Sequence, residues 1–233
     1  MNKYGSKVKF IVVLSLTMLL AACGSTPQPT VAMTSNIFAK PDVKVGYVYV
    51  APEDKATTHI YGASCLLCYG VASTLTSKLD RHLETQVDAN ELENIKALVL
   101  EEYGQKTPNI KIVSLSKPIA KMNKFKGELG FAKKDFRALK QELDIDVLVV
   151  LELHRHGAFR SFSQYIPNGD PQGHIAGLLY AVDLESNAYV QYLSLDEKVQ
   201  PEGEWDEPPT FPSVTTSYYQ AIENFKAKVR DAI

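Results

Sequence analysis

The stretch FRALKQELDIDVLVVLEL, residues 136–153, decides the fold class of this chain. Its first part spaces Phe136, Leu139 and Leu143 three and four residues apart, and this spacing predicts a helix over residues 131–143. The apolar run that follows, DVLVVLEL, is typical of a central strand that is buried on both faces of a sheet. A helix that leads directly into such a strand predicts an α/β protein.

Strand and helix patterns alternate through the rest of the chain. The expected strands have alternating or Val- and Tyr-rich sequences, and they cover residues 43–51, 110–115, 174–184 and 188–195. The expected helices carry apolar residues at helical spacing, and they cover residues 65–83, 88–100 and 215–233. This order predicts a mixed β-sheet of about five strands with helices packed on it, in a two-layer or three-layer sandwich.

The amino terminus has the pattern of an export signal. Three lysines are its only charges, and they precede an uncharged apolar run that is short for a membrane span. The run ends in Leu-Ala-Ala-Cys, residues 20–23, which resembles the lipobox of bacterial lipoproteins. That resemblance implies a signal peptide over residues 1–22 and acylation of Cys23, which gives stable attachment to lipid.

The residues after Cys23 imply a compartment and a domain division. In enteric-type bacteria, an aspartate directly after the acylated cysteine retains a lipoprotein at the inner membrane. This chain has Gly24 and Ser25 at these positions instead, so the resemblance implies the outer membrane, facing the periplasm. Residues 23–41, rich in Ser, Thr and Pro, predict a flexible tether, and residues 42–233 predict a single periplasmic domain. Loss of the signal lysines leaves the chain more acidic than its formal charge of −2, which argues against nucleic acid as a partner.

Two segments carry a resemblance to a known group of proteins. FRALKQELDIDVLVVLELHRHG, residues 136–157, and GLLYAVDLESNAYVQYLSL, residues 177–195, resemble a helix-strand unit and a hairpin of lipoproteins with the fold of the TolB amino-terminal domain. That group includes the curli-secretion lipoprotein, the Pel polysaccharide lipoprotein and the penicillin-binding-protein activator lipoproteins. The resemblance implies an accessory role through protein contacts, and it allows a homo-oligomer because some members form rings. The chain lacks a long apolar insertion of the kind that forms a membrane barrel, which argues against a pore.

Cys65 and Cys68 lie at the start of the helix expected over residues 65–83. In an oxidising periplasm the pair has three possible roles. It can form a local disulfide that fixes the start of the helix, it can remain as free thiols packed like small apolar residues, or it can carry redox or metal chemistry. The order strand, C-x-x-C, helix is that of thioredoxin, but no proline stands immediately before the strand at Asp146, as that fold requires. Leu67 belongs to an expected core-facing stripe, which hides the sulfurs from substrates, so we expect the local disulfide. The stripe consists of Leu67, Val71, Leu75, Leu79 and Leu83.

A group of histidines follows the central strand. Glu152, His154 and His156 alternate, so a strand period of two predicts that they share one face. If the chain returns as a hairpin, His174 approaches His156, and three imidazoles with a carboxylate form a ligand set for catalytic zinc. A solvated strand face also tolerates histidines, and the connection over residues 157–173 fixes no register. We therefore expect no metal and no other cofactor.

The loop QPEGEWDEPPTFP, residues 200–212, combines four acids, four prolines and the single tryptophan. Proline stiffens it and its aromatic residues offer adhesive surface, so Trp205 and Phe211 are candidates for contact with a partner. The alternative is a solvated crossover in which Trp205 packs on the core.

The sequence as a whole predicts a lipid-anchored accessory lipoprotein of the cell envelope that assists assembly or secretion and is not an enzyme. It contains no glycine-rich phosphate loop, G-x-S-x-G elbow or H-E-x-x-H motif, and we expect no catalytic residue. The competing hypotheses are a thiol-disulfide oxidoreductase at Cys65 and Cys68, and a zinc hydrolase at His154, His156 and His174.

Overall fold

A computed structural model describes residues 26–88 and 90–233 of the chain. Cys23 and the expected signal peptide, residues 1–22, lie outside the described residues. Within the described part of the chain, no helix is both long enough and apolar enough to cross a membrane. The fold is α/β with a mixed sheet, as predicted.

The described residues form seven strands and five α-helices. The strands are β1 (Val45–Val50), β2 (Thr57–Tyr61), β3 (Ile110–Ile112), β4 (Val147–Ser163), β5 (Ile166–Pro167), β6 (Gln172–Asp183) and β7 (Tyr189–Val199). The helices are α1 (Ser35–Phe38), α2 (Leu66–Gln86), α3 (Asn90–Lys106), α4 (Leu139–Leu143) and α5 (Pro212–Ala232), with a 3-10 turn at Ile119–Lys121. Five strands form the main path of the sheet in the order β3-β1-β4-β6-β7, which matches the predicted number, and the short strands β2 and β5 pair with β4 in addition.

Strand β4 is the axis of the sheet. On one edge it pairs in parallel with β1 up to Glu152, and then with β2 from Gly157 onward. On its other edge it pairs antiparallel with β6. In the described part of the chain, residues 153–156 of β4 therefore have no strand partner on the first edge, and the connection 51–56 crosses there. We call this interruption the strand gap.

The two faces of the sheet are covered differently. Helices α3 and α5 pack on one face, where Phe225 belongs to the same core as Val149, and we call this the helical face. The chain over residues 113–145 covers the other face, where Phe136 packs with Leu148. The molecule therefore has three layers, of which the third is mostly irregular chain.

The helix predicted over residues 131–143 is present only as α4. The buried side chain of Asn187, in the turn between β6 and β7, accepts a hydrogen bond from the backbone N–H of Phe136. Its amide nitrogen donates to the carbonyl oxygens of Ala132 and Lys134. Because Asn187 supplies these partners, the backbone before α4 is satisfied without forming helical hydrogen bonds.

The predicted core stripe of α2 is wrong over its first half. Leu67 and Leu75 are 78% and 48% exposed. The buried side chains of the helix are Cys68, Ala72, Thr76, Leu79 and Leu83. With 3.6 residues in a turn, each step of four residues advances about 40° around the axis, so a stripe kept at intervals of four winds by about 160° between Leu67 and Leu83. Only its end can face the core.

The segment expected to be a flexible tether, residues 23–41, is packed from Gln28 onward. Val31 exchanges backbone hydrogen bonds with Tyr192 on the edge strand β7. Phe38 is 2% exposed and belongs to the core of the helical face. The prediction of flexibility is therefore wrong for residues 28–38, because the apolar side chains of this Ser- and Thr-rich segment find partners on the sheet.

Candidate functional site

A groove of about 460 Å³ opens beside the strand gap, and we call it the strand-gap groove. Its lining comes from the connection 51–56, the end of α2 and the first turn of α3. Leu83 and Leu92 are buried, and with the partly buried Val87 they form an apolar floor. The groove thus offers an apolar surface at a place where the sheet is interrupted.

The rim of the groove is acidic. Glu53 and Asp54 come from the connection, Glu84 from α2 and Glu93 from α3, and all four side chains are exposed. Lys55 is the basic residue of the described lining. The excess of carboxylates gives the rim a net negative charge, which attracts cationic groups.

A lysine on α3 contacts two residues of the groove lining, Glu93 and Tyr49. The Nζ atom of Lys96 lies 2.8 Å from Oε2 of Glu93 and 5.5 Å from the ring centroid of Tyr49. Burial raises the pKa of the Tyr49 hydroxyl to about 12, with Glu93 as the second cause. Because Glu93 is already paired, the net charge of the rim comes mainly from Glu53, Asp54 and Glu84.

His156 lies at the inner end of the groove. Its ring is 8% exposed, and its Nδ1 atom is 3.0 Å from the hydroxyl oxygen of Tyr218 on α5. Burial lowers the pKa of His156 and raises that of Tyr218, so both groups are neutral at neutral pH. The pair ties β4 to α5 and places a neutral hydrogen-bonded ring, rather than a charge, behind the apolar floor.

The predicted common face for Glu152, His154 and His156 is wrong. The pairing of β4 with β6 shifts register between Leu153 and Arg155, so a β-bulge inserts one residue there. After the bulge the alternation of faces is reversed relative to a regular strand. His154 stays beside Glu152, with 3.7 Å between Nε2 and Oε2, whereas His156 turns to the helical face.

His174 does not join His156. The hairpin forms as expected, but its register sets His174 opposite Gly157, one residue further, so the two imidazoles lie on opposite faces of the sheet. His174 is 2% exposed; its Nε2 atom is 2.8 Å from Oδ1 of Asp196, and its ring stacks on His59 with 6.0 Å between centroids. Among the described residues, no three His, Cys, Asp or Glu side chains are grouped to hold a metal ion.

Arg155 and His59 make a polar contact on the face that carries His174. An Nη1 hydrogen of Arg155 points to Nε2 of His59 across 3.0 Å, and Nε2 is the acceptor because a guanidinium only donates. Burial, assisted by Arg155, lowers the pKa of His59 to about 4. Burial also lowers the pKa of His174. The solvated strand face suggested by the sequence is therefore wrong for His156 and His174, which are buried.

Cys65 and Cys68 are joined in a disulfide with 5.0 Å between their Cα atoms, which is the local bridge that the sequence predicts. Cys65 caps α2, since its sulfur accepts a hydrogen bond from the backbone N–H of Cys68 across 2.9 Å. Cys68 is 5% exposed, whereas Cys65 and the following Leu66 and Leu67 are exposed. The expectation that Leu67 hides both sulfurs is therefore wrong for Cys65.

The loop candidates Trp205 and Phe211 both pack on the domain. Phe211 is 4% exposed and lies in a small core with Val214, so it is not available to a partner. Trp205 is partly buried against the same core, and the guanidinium of Arg160 lies 4.6 Å from its ring centroid. The alternative interpretation, with Trp205 packed on the core, describes this loop.

The sequence did not predict the strand-gap groove. Its floor and rim come from three segments, residues 51–56, 83–87 and 92–93, and no spacing in the sequence links them. A weak local signal was present, because Pro52 ends the first strand and a charged Glu-Asp-Lys run follows it. The meeting of these segments depends on the shared edge of β4, which is a property of the whole sheet.

No protein-family model matches the sequence, and no curated protein matches it. Solved structures that align with it include a hypothetical protein from Chlamydia trachomatis, with 8% identity, 82% of this chain and 98% of that chain covered, and a TM-score of 0.36. PelC from Paraburkholderia phytofirmans, solved as a dodecamer, is 7% identical, with 85% of this chain and 96% of that chain covered and a TM-score of 0.29. A lipoprotein from Neisseria meningitidis is 12% identical, with 79% of this chain and 99% of that chain covered and a TM-score of 0.27. The agreement is low in all three cases and carries nothing about function.

Proposed function

We propose that this chain is an outer-membrane lipoprotein that faces the periplasm and assists envelope assembly or secretion through protein contacts, without catalysis. The strand-gap groove is the observation that carries this proposal. A buried apolar floor with an acidic rim suits a basic amphipathic segment of an envelope protein, because the floor takes its apolar side chains and the rim its positive charges. The anchor in the proposal is the acylated Cys23 that the lipobox resemblance implies.

We also propose that the domain has the specific fold of the TolB amino-terminal domain. Two turns support it, and both lie in the segments that carry the sequence resemblance. Asp144, at φ 50°, ends α4 and leads the chain into β4. Asn187, at φ 65°, closes the turn of the β6–β7 hairpin.

The proposal is tested by photo-crosslinking in intact cells from a reactive side chain placed at Val87, on the floor of the groove. We expect a discrete adduct with an envelope protein. The adduct should fall at least several-fold in the double variant Glu53→Lys, Glu84→Lys, which reverses the charge of the rim. The matched control is Glu101→Lys, an exposed reversal on α3 outside the groove lining, which should leave the adduct unchanged. An adduct that is indifferent to the rim charges contradicts the proposal.

A thiol-disulfide oxidoreductase is the second candidate function. It is favoured by the exposure of Cys65 beside the buried Cys68 at the start of a long helix, where an attacking thiolate can reach Cys65. In that case Cys68→Ser should trap mixed disulfides between Cys65 and client proteins, detectable on non-reducing gels. Under the leading proposal the same variant traps none.

A further inference from the structure

A second pocket, of about 180 Å³, lies on the sheet face opposite to the helical face. Three tyrosines of the β6–β7 hairpin line it, Tyr180, Tyr189 and Tyr192, and we call it the tyrosine pocket. Glu152 on β4 lines the same pocket. The chain over residues 113–145 forms the other side with the apolar side chains of Ile119, Phe131 and Phe136. The pocket thus combines an aromatic and apolar lining with one acidic group.

The three tyrosines form one aromatic cluster. Their ring centroids are 4.9 Å apart for Tyr189 and Tyr192, 5.8 Å for Tyr180 and Tyr189, and 6.4 Å for Tyr180 and Tyr192. The ring planes are inclined to each other by 29° to 80°, so the cluster presents ring faces in more than one direction. Because the face of an aromatic ring carries negative potential, such a cluster attracts organic cations.

Glu152 is ionised, and no lysine or arginine of the described residues pairs with it. Its side chain is 20% exposed, and its Oε1 atom accepts a hydrogen bond from the hydroxyl of Tyr180. Burial acts to raise the pKa of Glu152, but the nearby His154 and the hydroxyl of Tyr180 outweigh burial and lower this pKa. His154 is exposed, and its Nε2 atom is 3.7 Å from Oε2. A carboxylate this deeply buried is normally paired with a full positive charge, which a cationic ligand would supply.

Two lysines also line the pocket, but neither neutralises the carboxylate. The ammonium group of Lys134 donates hydrogen bonds to the carbonyl oxygens of Ala120 and Met122, across 2.5 and 3.0 Å. Lys133 is exposed, so water and salt screen its charge. The negative charge of Glu152 therefore remains available to a ligand in the pocket.

We propose that the tyrosine pocket binds a quaternary ammonium group, such as the trimethylammonium group of a small molecule or of a lipid headgroup. Glu152 balances the positive charge, and the tyrosine rings contact the methyl groups. A primary ammonium fits less well, because its three N–H donors require acceptors that a mostly apolar lining does not supply. The pocket shares no lining residue with the strand-gap groove, so this inference does not rest on the proposed function.

Isothermal titration calorimetry with two probes of the same shape tests the role of the charge. The protein is purified from membranes in maltoside micelles, which contain no ammonium group. Choline carries the trimethylammonium group, and 3,3-dimethyl-1-butanol replaces its nitrogen with a neutral carbon. We expect choline to bind with a Kd of about 1 mM or tighter, and the alcohol to bind roughly tenfold more weakly. Equal affinities, or no measurable binding of choline, overturn the proposal.

Two pairs of variants locate the site. Glu152→Gln removes the charge, keeps an acceptor for Tyr180 and should weaken choline binding roughly fivefold. Glu128→Gln, an exposed position outside the pocket lining, should leave it unchanged. Tyr192→Leu removes a ring and should weaken binding roughly threefold or more, whereas Tyr192→Phe keeps the ring and should bind as the unsubstituted protein does. Circular dichroism confirms that each variant is folded, and unchanged affinity in folded Glu152→Gln or Tyr192→Leu overturns the proposal. The comparison of the two probes needs no substitution.

Two further probes identify the source of the ammonium group. Glycerophosphocholine carries it as a lipid headgroup does, so binding as tight as that of choline supports a lipid source, and weaker binding supports a free small molecule. Nα-acetyl-lysine amide carries the primary ammonium of a protein side chain, and tighter binding of this probe than of choline overturns the assignment. Loss of the groove adduct at Val87 with choline binding intact contradicts only the proposed function.

Discussion

The Nδ1 atom of His156 and the hydroxyl oxygen of Tyr218 lie 3.0 Å apart behind the strand-gap groove, and they join the central strand to α5. Tyr218 is fully buried and His156 nearly so. The contact exists because the bulge in β4 turns His156 toward the helical face. The hydrogen bond thus holds the ring of His156, which lines the inner end of the groove.

Tyr218→Phe should lower the free energy of unfolding by about 1–2 kcal/mol, because it leaves the buried Nδ1 atom of His156 without a partner. Urea denaturation followed by circular dichroism measures the change. Tyr69→Phe, which removes a hydroxyl from a side chain that is 53% exposed, is the control and should leave the free energy of unfolding nearly unchanged. Equal effects of the two substitutions would show that the bond to His156 contributes nothing.

The free energy of unfolding should fall at acid pH partly through His59. Burial, with Arg155 nearby, lowers its pKa from 6.5 to about 4, so between these values the unfolded chain binds a proton that the folded chain does not. The contribution of the neutral ring is complete above pH 6.5 and is lost as the pH falls toward 4. Urea titrations across this range should give a shallower decline for His59→Gln than for the unsubstituted protein. His154→Gln, at an exposed position, is the control, and identical slopes in the two variants contradict the assignment.

The sequence predicted the parts of the fold that depend on local pattern. The apolar run at 146–153 predicted the central strand, and the turn at Asn187 predicted the hairpin of β6 and β7. The predictions of which side chains face the core were wrong where a small rotation per turn adds up along a helix, or where a bulge shifts a strand. Leu67 is exposed because residues at intervals of four drift around the helix axis. His156 lies on the other face of the sheet because of a β-bulge, which no residue type in the sequence indicates.

The candidate site was harder to predict than the fold. Cys65 and Cys68 are close in sequence, so their bridge followed from spacing and compartment. The strand-gap groove combines Glu53 with Glu84 and Glu93, which meet only because β1 and β2 share one edge of β4. That sharing is a tertiary property, and the single sequence contains no pattern that specifies it.

Cys65→Ser with Cys68→Ser should destabilise the domain modestly. The bridge closes a very short loop, so the chain-entropy model limits its contribution to about 2 kcal/mol, and the double variant should remain folded with a slightly lower melting temperature. Mass spectrometry of non-reduced periplasmic protein should find the Cys65–Cys68 bridge in the unsubstituted chain. Loss of function in Cys65→Ser at unchanged protein level would contradict a purely structural bridge.

Cys23→Ala should give an unprocessed precursor that no longer sorts to the outer membrane, because acylation requires the thiol. Sucrose-gradient fractionation followed by immunoblotting measures the distribution. Ser25→Ala, two residues further, is the matched control and should fractionate as the unsubstituted protein does. Normal outer-membrane fractionation of Cys23→Ala would reject the proposed anchor.

The most direct test of protein contact through the strand-gap groove is hydrogen–deuterium exchange of the chain with and without the envelope protein captured at Val87. The account predicts slower exchange in residues 51–56 and 83–88 on binding, and loss of that protection in the variant Glu53→Lys, Glu84→Lys. Residues 62–77, which lie outside the groove lining, should exchange as before. Protection confined to residues 62–77, or protection at the groove that survives the charge reversal, would contradict the central claim.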